Sequence, residues 1–223
     1  SPDNRRYFTV QVHDKVPVLV VNGDPSVIPY QDGAFYLRLA LEGRTTDGES
    51  LSPIEATVVA DAEMQSERLE DYACVILANV PRISPQQGQA LANYVRAGGG
   101  LLVFLGGNVD AAAYNMSIGA SVEQGVDMVP RDADQPRVAG SQEVANPWQL
   151  LPANLGPTKS IVGEEDYFSV ESYDPRHPIF ESIIQDIRLE NLQAKRIFTL
   201  EKSPEGGAEG VVLVKLNAGP LLI

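Results

Sequence analysis

The chain has 223 residues, 43% of them hydrophobic, with 30 acidic residues against 17 basic ones and a net charge of -13. That is enough apolar material for one sizeable core, and the acidic balance opposes direct contact with nucleic acid or an anionic membrane surface. A single cysteine excludes an intrachain disulfide and, with only two histidines beside it, a structural zinc site.

Residues 1–14 alternate like a strand and read as the end of a preceding domain or a linker, leaving 15–223 as one α/β domain. Pro17 to Val21 is the first apolar run, and it ends in the turn sequence Asn22-Gly23-Asp24-Pro25. Asp32 to Leu41 carries Phe35 and Leu39 at helical spacing, and Ala56 to Ala60 reads as a short strand. Cys74 to Ala78 is the next strand, ending in Asn79-Val80-Pro81-Arg82. Ser84 is placed to cap a helix, Pro85 suits its first position, and Gln87 can complete a capping box. Leu91, Tyr94 and Val95 share one face of that helix, Gly98 supplies its left-handed end, and the unbroken run Leu101 to Leu105 predicts a strand covered on both faces.

Strands alternating with helices predict a mainly parallel sheet with right-handed crossovers, layered helix-sheet-helix. Ligands of such sheets sit beyond the carboxyl ends of the strands, so any pocket draws on Asn22 to Asp24, Asn79 to Arg82 and Gly106 to Asp110. Asn108 or Asp110 also suits the cap of a short helix over Ala111 to Asn115. Residues 117–163 are rich in Pro, Gly, Asp and Gln without sustained period and read as an irregular excursion anchored by Trp148. Ile187 to Leu200 and Gly210 to Leu216 read as strands joined through Ser203 to Gly207, an antiparallel extension of the sheet.

The usual catalytic patterns are missing. Gly-x-Ser-x-Gly does not occur, and a serine triad would have to draw on His13, in a connecting segment, or His177, in the turn-like Asp174-Pro175-Arg176-His177-Pro178. Gly98-Gly99-Gly100 precedes a strand instead of following one, so it is a turn and not a phosphate cradle, and no acidic spacing matches a calcium loop. Asp24 stands where a receiver domain places an acidic residue, but Asn79 replaces the aspartate such a site needs. Cys74 reads as a small buried apolar residue.

Asn22-Gly23-Asp24-Pro25-Ser26, the passage Tyr94 to Phe104, the continuation Asn108 to Asn115 and the late His177-Pro178-Ile179-Phe180 together resemble the class I glutamine amidotransferase-like superfamily. More narrowly they are similar to the domain found in membrane-anchored bacterial proteins of the aerotolerance (Bat-like) type, with trehalose-utilisation (ThuA-like) domains as cousins. The resemblance implies a three-layer flavodoxin/amidotransferase-like fold, but the strand end where that superfamily holds its nucleophilic cysteine here reads Leu105-Gly106-Gly107-Asn108. The expectation is therefore a domain with no catalytic residues, no metal and no cofactor. It would serve as an interaction or scaffold module for a protein partner or for self-association, with membrane contact only through segments outside these residues. The setting the resemblance implies is periplasmic or otherwise extracytoplasmic, and a single cysteine is equally compatible with the cytoplasm. The alternative expectation is a small-molecule site, carbohydrate-related by the ThuA-like resemblance, built from Asp24, Asn79, Arg82, Asn108, Asp110 and His177.

Overall fold

The apolar runs of the first half form β1 (Val16–Asn22), β2 (Ile54–Ala60), β3 (Cys74–Ala78) and β4 (Gly100–Phe104). They are seen in a computed structural model, which describes residues 15–43, 52–119, 150–163, 166–181, 188–201 and 212–222. All three pairings are parallel and the strand order is β2-β1-β3-β4, so the chain is α/β with a mainly parallel sheet. The described residues divide into two units, one holding those up to Pro81 with Asn93–Asn108, the other Arg82–Ala92 with those from Val109 on.

In the first unit the register sets Val18 beside Ala56 and Cys74, and Val20 beside Val58 and Ile76. Side chains alternate across a strand, so these residues share one face while Leu19, Val21, Val75 and Leu77 share the other. Those four are buried, whereas Thr57 of β2 beside Leu19 is exposed on the same face. Against the first lies α1 (Gly33–Glu42), whose Ala34, Leu37 and Leu41 pack on Val18, Val20 and Ile76. Asp32 starts this helix as its N-cap, its Oδ1 accepting a hydrogen bond from the Ala34 amide at 2.9 Å.

The second helix, α2 (Pro85–Arg96), forms as its sequence dictates. The Ser84 amide donates to Gln87 Oε1 at 2.8 Å and the Gln87 amide to Ser84 Oγ at 3.2 Å, which is the reciprocal capping box. At the other end Gly98 has φ +101°, where a Cβ would be strained, and its amide reaches the Val95 carbonyl at 3.0 Å. Leu91 and Tyr94 are buried and Val95 half-buried.

One expectation is overturned here. β4 is not covered on both faces: Leu102 is 43% and Phe104 51% exposed. The cause is position, because α1 packs on β1 and β2, and β4 is the strand farthest from that pair in the sheet order. An apolar run reports a strand's composition but carries no information on whether a neighbour follows it.

The second unit contains α3 (Ala111–Ser117), β5 (Asn154–Ser160), β6 (Phe168–Tyr173), α4 (Pro178–Glu181), β7 (Gln193–Ala194), β8 (Arg196–Glu201), β9 (Val214–Leu216) and β10 (Gly219–Leu222). Its strands are antiparallel, as expected. They do not extend the parallel sheet, however: β10-β9-β6-β7 is one sheet and β5-β8 another. The strand read over Ile187 to Leu200 is broken, with a turn at Leu189–Asn191 before β7 and β8, and the connection Ser203 to Gly207 lies outside the described residues. So do residues 1–14 with His13, and 120–149 with Trp148. β5 arises inside the stretch read as irregular. Gly156 and Pro157 hide its strand signal, and they coincide with a register shift between Leu155 and Thr158, where a missing proline N–H is tolerated.

Candidate functional site

In the first unit, three strand ends are tied together by side chains. Asn22, the last residue of β1, is 4% exposed and spends both ends of its amide: Nδ2 donates to Asp32 Oδ1 at 2.8 Å and Oδ1 accepts from the Asp24 amide at 3.0 Å. Asn79, just past β3, donates from Nδ2 to Asp24 Oδ2 at 3.3 Å and accepts at Oδ1 from the Asn108 amide at 2.9 Å. Its own amide donates to the Phe104 carbonyl at the end of β4, at 3.0 Å. The result is a continuous polar chain, Asp32, Asn22, Asp24, Asn79, Asn108, running from the start of α1 across the carboxyl ends of β1, β3 and β4.

Backbone shape makes this possible. Asn79 has φ +52°, the left-handed region that asparagine tolerates better than other residues with a Cβ. Gly23 passes so close to the Asn79 and Val80 backbone that an added Cβ would collide with the Asn79 carbonyl, and a Cβ at Gly106 would collide with the Asn79 side chain. The Gly23 amide is held by the Ala78 carbonyl at 2.9 Å. Gly106 is thus a close-approach residue for Asn79, at the strand end where the resemblance would have expected a nucleophile's neighbours.

The sequence-predicted site residues fall into two groups. Asp24, Asn79 and Asn108 meet in the first unit, Asn108 through its backbone amide. Arg82 and Asp110 meet in the second, where Arg82 Nη2 lies 3.2 Å from Asp110 Oδ2. Asp110 also caps α3, its Oδ1 accepting from the Ala113 amide at 3.1 Å, so of the two residues proposed for that role it is Asp110 that fills it. His177, also in the second unit, sits in the expected turn: its amide donates to the Asp174 carbonyl at 3.1 Å, its carbonyl accepts from Phe180, and its ring lies 6.0 Å from the Phe180 ring. Asn22, in the first of the three strand-end segments expected to line a pocket, and Asp32, outside them, belong to the polar chain but not to the six named site residues; their signals are an amide ending an apolar run and an aspartate opening a helical segment.

The chemistry this arrangement offers is polar and acidic. Cys74 is half-buried on β3 within the α1-facing cluster, and burial raises its thiol pKa, which favours the un-nucleophilic thiol. Among the described residues no group of three His, Cys, Asp or Glu side chains is placed to hold a metal ion, and no helix is long and apolar enough to cross a membrane. No family model matches the chain, and neither a curated protein nor a solved structure matches it.

Proposed function

We propose that this chain is a three-layer, amidotransferase-like module that has no nucleophile and works by holding a protein partner, within a larger membrane-anchored bacterial protein and outside the cytoplasm. The observation that carries this reading is the exposure of Leu102 and Phe104 on a strand of a parallel sheet, an element ordinarily covered on both faces. The glycine pair Gly106-Gly107 at the end of that strand, with Asn108 after it, supports the absence of acyl-transfer chemistry of the amidotransferase kind.

A second reading rests on one specific observation, the convergence of Asp24, Asn79 and Asn108 at the carboxyl ends of β1, β3 and β4, where open α/β sheets bind small ligands. Against it, the side-chain amide of Asn79 is already engaged at both ends. A thermal-shift screen with glutamine, sugars, sugar phosphates and nucleotides separates the two, since a ligand that binds only the folded state raises Tm. The module reading expects no shift; a shift abolished by Asp24→Ala would replace it with the small-molecule reading.

A further inference from the structure

We propose that the free edge of β4 is a docking site for an extended apolar peptide segment with basic flanks, which adds to the sheet as a further strand. This rests on the interaction-module reading and names the partner's chemistry.

The backbone supplies the first argument. The Gly100 amide donates to the Ala73 carbonyl at 3.1 Å and the Phe104 carbonyl accepts from the Asn79 amide at 3.0 Å, so Gly100, Leu102 and Phe104 turn their peptide groups toward β3. Alternation in a parallel ladder then points the N–H and C=O groups of Leu101 and Val103 outward, along an edge that no described strand of this sheet occupies. Such an edge is a template for another strand unless it is blunted by charge, proline or a bulge. β4 has none of these, for no charged residue or proline occurs from Ala97 to Val109. The opposite edge strand, β2, carries an exposed Glu55.

Side chains and charge select the occupant. Leu102 and Phe104 lie on one face and offer apolar contact to alternate residues of an added strand, the arrangement of strand-addition complexes. In this unit acidic residues outnumber basic ones roughly two to one, so the net field is negative even though Arg68 lies 3.8 Å from Asp71 and Arg96 ends α2; past the carboxyl end of β4, Asp24 is bonded to Asn79. A strand with lysine or arginine at its ends meets attraction there, whereas a second copy of a chain of net charge -13 meets repulsion.

The test is residue-resolved amide exchange on the whole chain, titrated with a short lysine-flanked peptide of alternating threonine and valine, and with a control in which glycine and serine replace them. Strand docking predicts that the Leu101 and Val103 amides slow saturably, by about tenfold or more, with the first peptide only. Leu102→Lys, which keeps the backbone and charges the exposed apolar face, should abolish that protection while the Tm of the free protein holds, and Val103→Pro, which removes an outward donor, should abolish it at the Leu101 amide. Equal protection by the control peptide, protection on β2 instead, or no protection at millimolar peptide would overturn the proposal. Protection of β4 that grows with protein concentration alone, together with dimers in sedimentation, would overturn it in favour of a second copy. These outcomes are independent of the ligand screen, so strand docking can fail while the module reading stands.

Discussion

Among single residues, Asn79 ties together the ends of β1, β3 and β4. It accepts one hydrogen bond, donates two, and sits at φ +52°. Asn79→Ala removes both side-chain bonds and keeps a Cβ in the left-handed region, so it should cost about 2 kcal/mol, each bond contributing about 1 kcal/mol. Asn79→Gly loses the same bonds but relieves the backbone, and should recover about 1 kcal/mol of that loss in urea unfolding. If both variants unfold at the same urea concentration, the left-handed backbone is not what asparagine is tolerated for. The Arg82–Asp110 pair is a useful contrast: at 3.2 Å it looks as specific, but Arg82 is 75% exposed, and solvent screening leaves such pairs with less than about 1 kcal/mol. Arg82→Ala should therefore shift the urea midpoint less than Asn79→Ala does.

At the level of elements, what was legible in the sequence was what is coded locally. β1 and β3 follow from apolar runs, and α2 follows from Ser84, Pro85 and Gln87 at its start and from Gly98, which without a Cβ takes the left-handed turn at its end. Removing the cap with Ser84→Ala should cost about 1 kcal/mol by urea unfolding, because an amide of the first turn loses its acceptor. Illegible were the features set by distant neighbours. The uncovered state of β4 depends on where α1 packs, the pairing of β5 with β8 joins Asn154 to Glu201, and the Asn115 amide reaches the Leu155 backbone twice, at 2.8 Å each way. The candidate site shows the same division: the strand-end residues Asp24, Asn79 and Asn108 were readable from the rule that loops gather there, while Asn79's left-handed turn and the Asn22–Asp32 bond were not, since neither leaves a pattern in the chain. The exposure of β4 has a measurable consequence as well. Leu77→Ala, at a fully buried position of β3, should cost about 2–5 kcal/mol, whereas Phe104→Ala on the half-exposed β4 face should cost markedly less despite removing a larger side chain.

For the whole molecule, acidity and burial combine in the dependence of stability on pH. Burial raises the pKa of Cys74, of Tyr94, where the neighbouring Cys74 adds to it, and most strongly of Tyr114, a fully buried residue of α3. In each case the folded state holds its proton more tightly than the unfolded chain, whose cysteine and tyrosine titrate near about 8.5 and 10. Their stabilisation is therefore complete below those values and is lost as pH rises toward the folded ones. The urea midpoint should be flat from neutral pH to about 8 and decline above about 9, steepening past about 10 as unfolded tyrosines ionise, at up to about 1.4 kcal/mol per pH unit for a phenol held neutral like Tyr114. Growing negative charge on a chain already at -13 pushes the same way, but it acts on every variant alike. Tyr114→Phe isolates the buried phenol: it should flatten the decline above pH 10 relative to the parent, whatever it does to stability at neutral pH. Parallel declines in the two proteins would assign the alkaline loss to general repulsion and remove Tyr114 from the account.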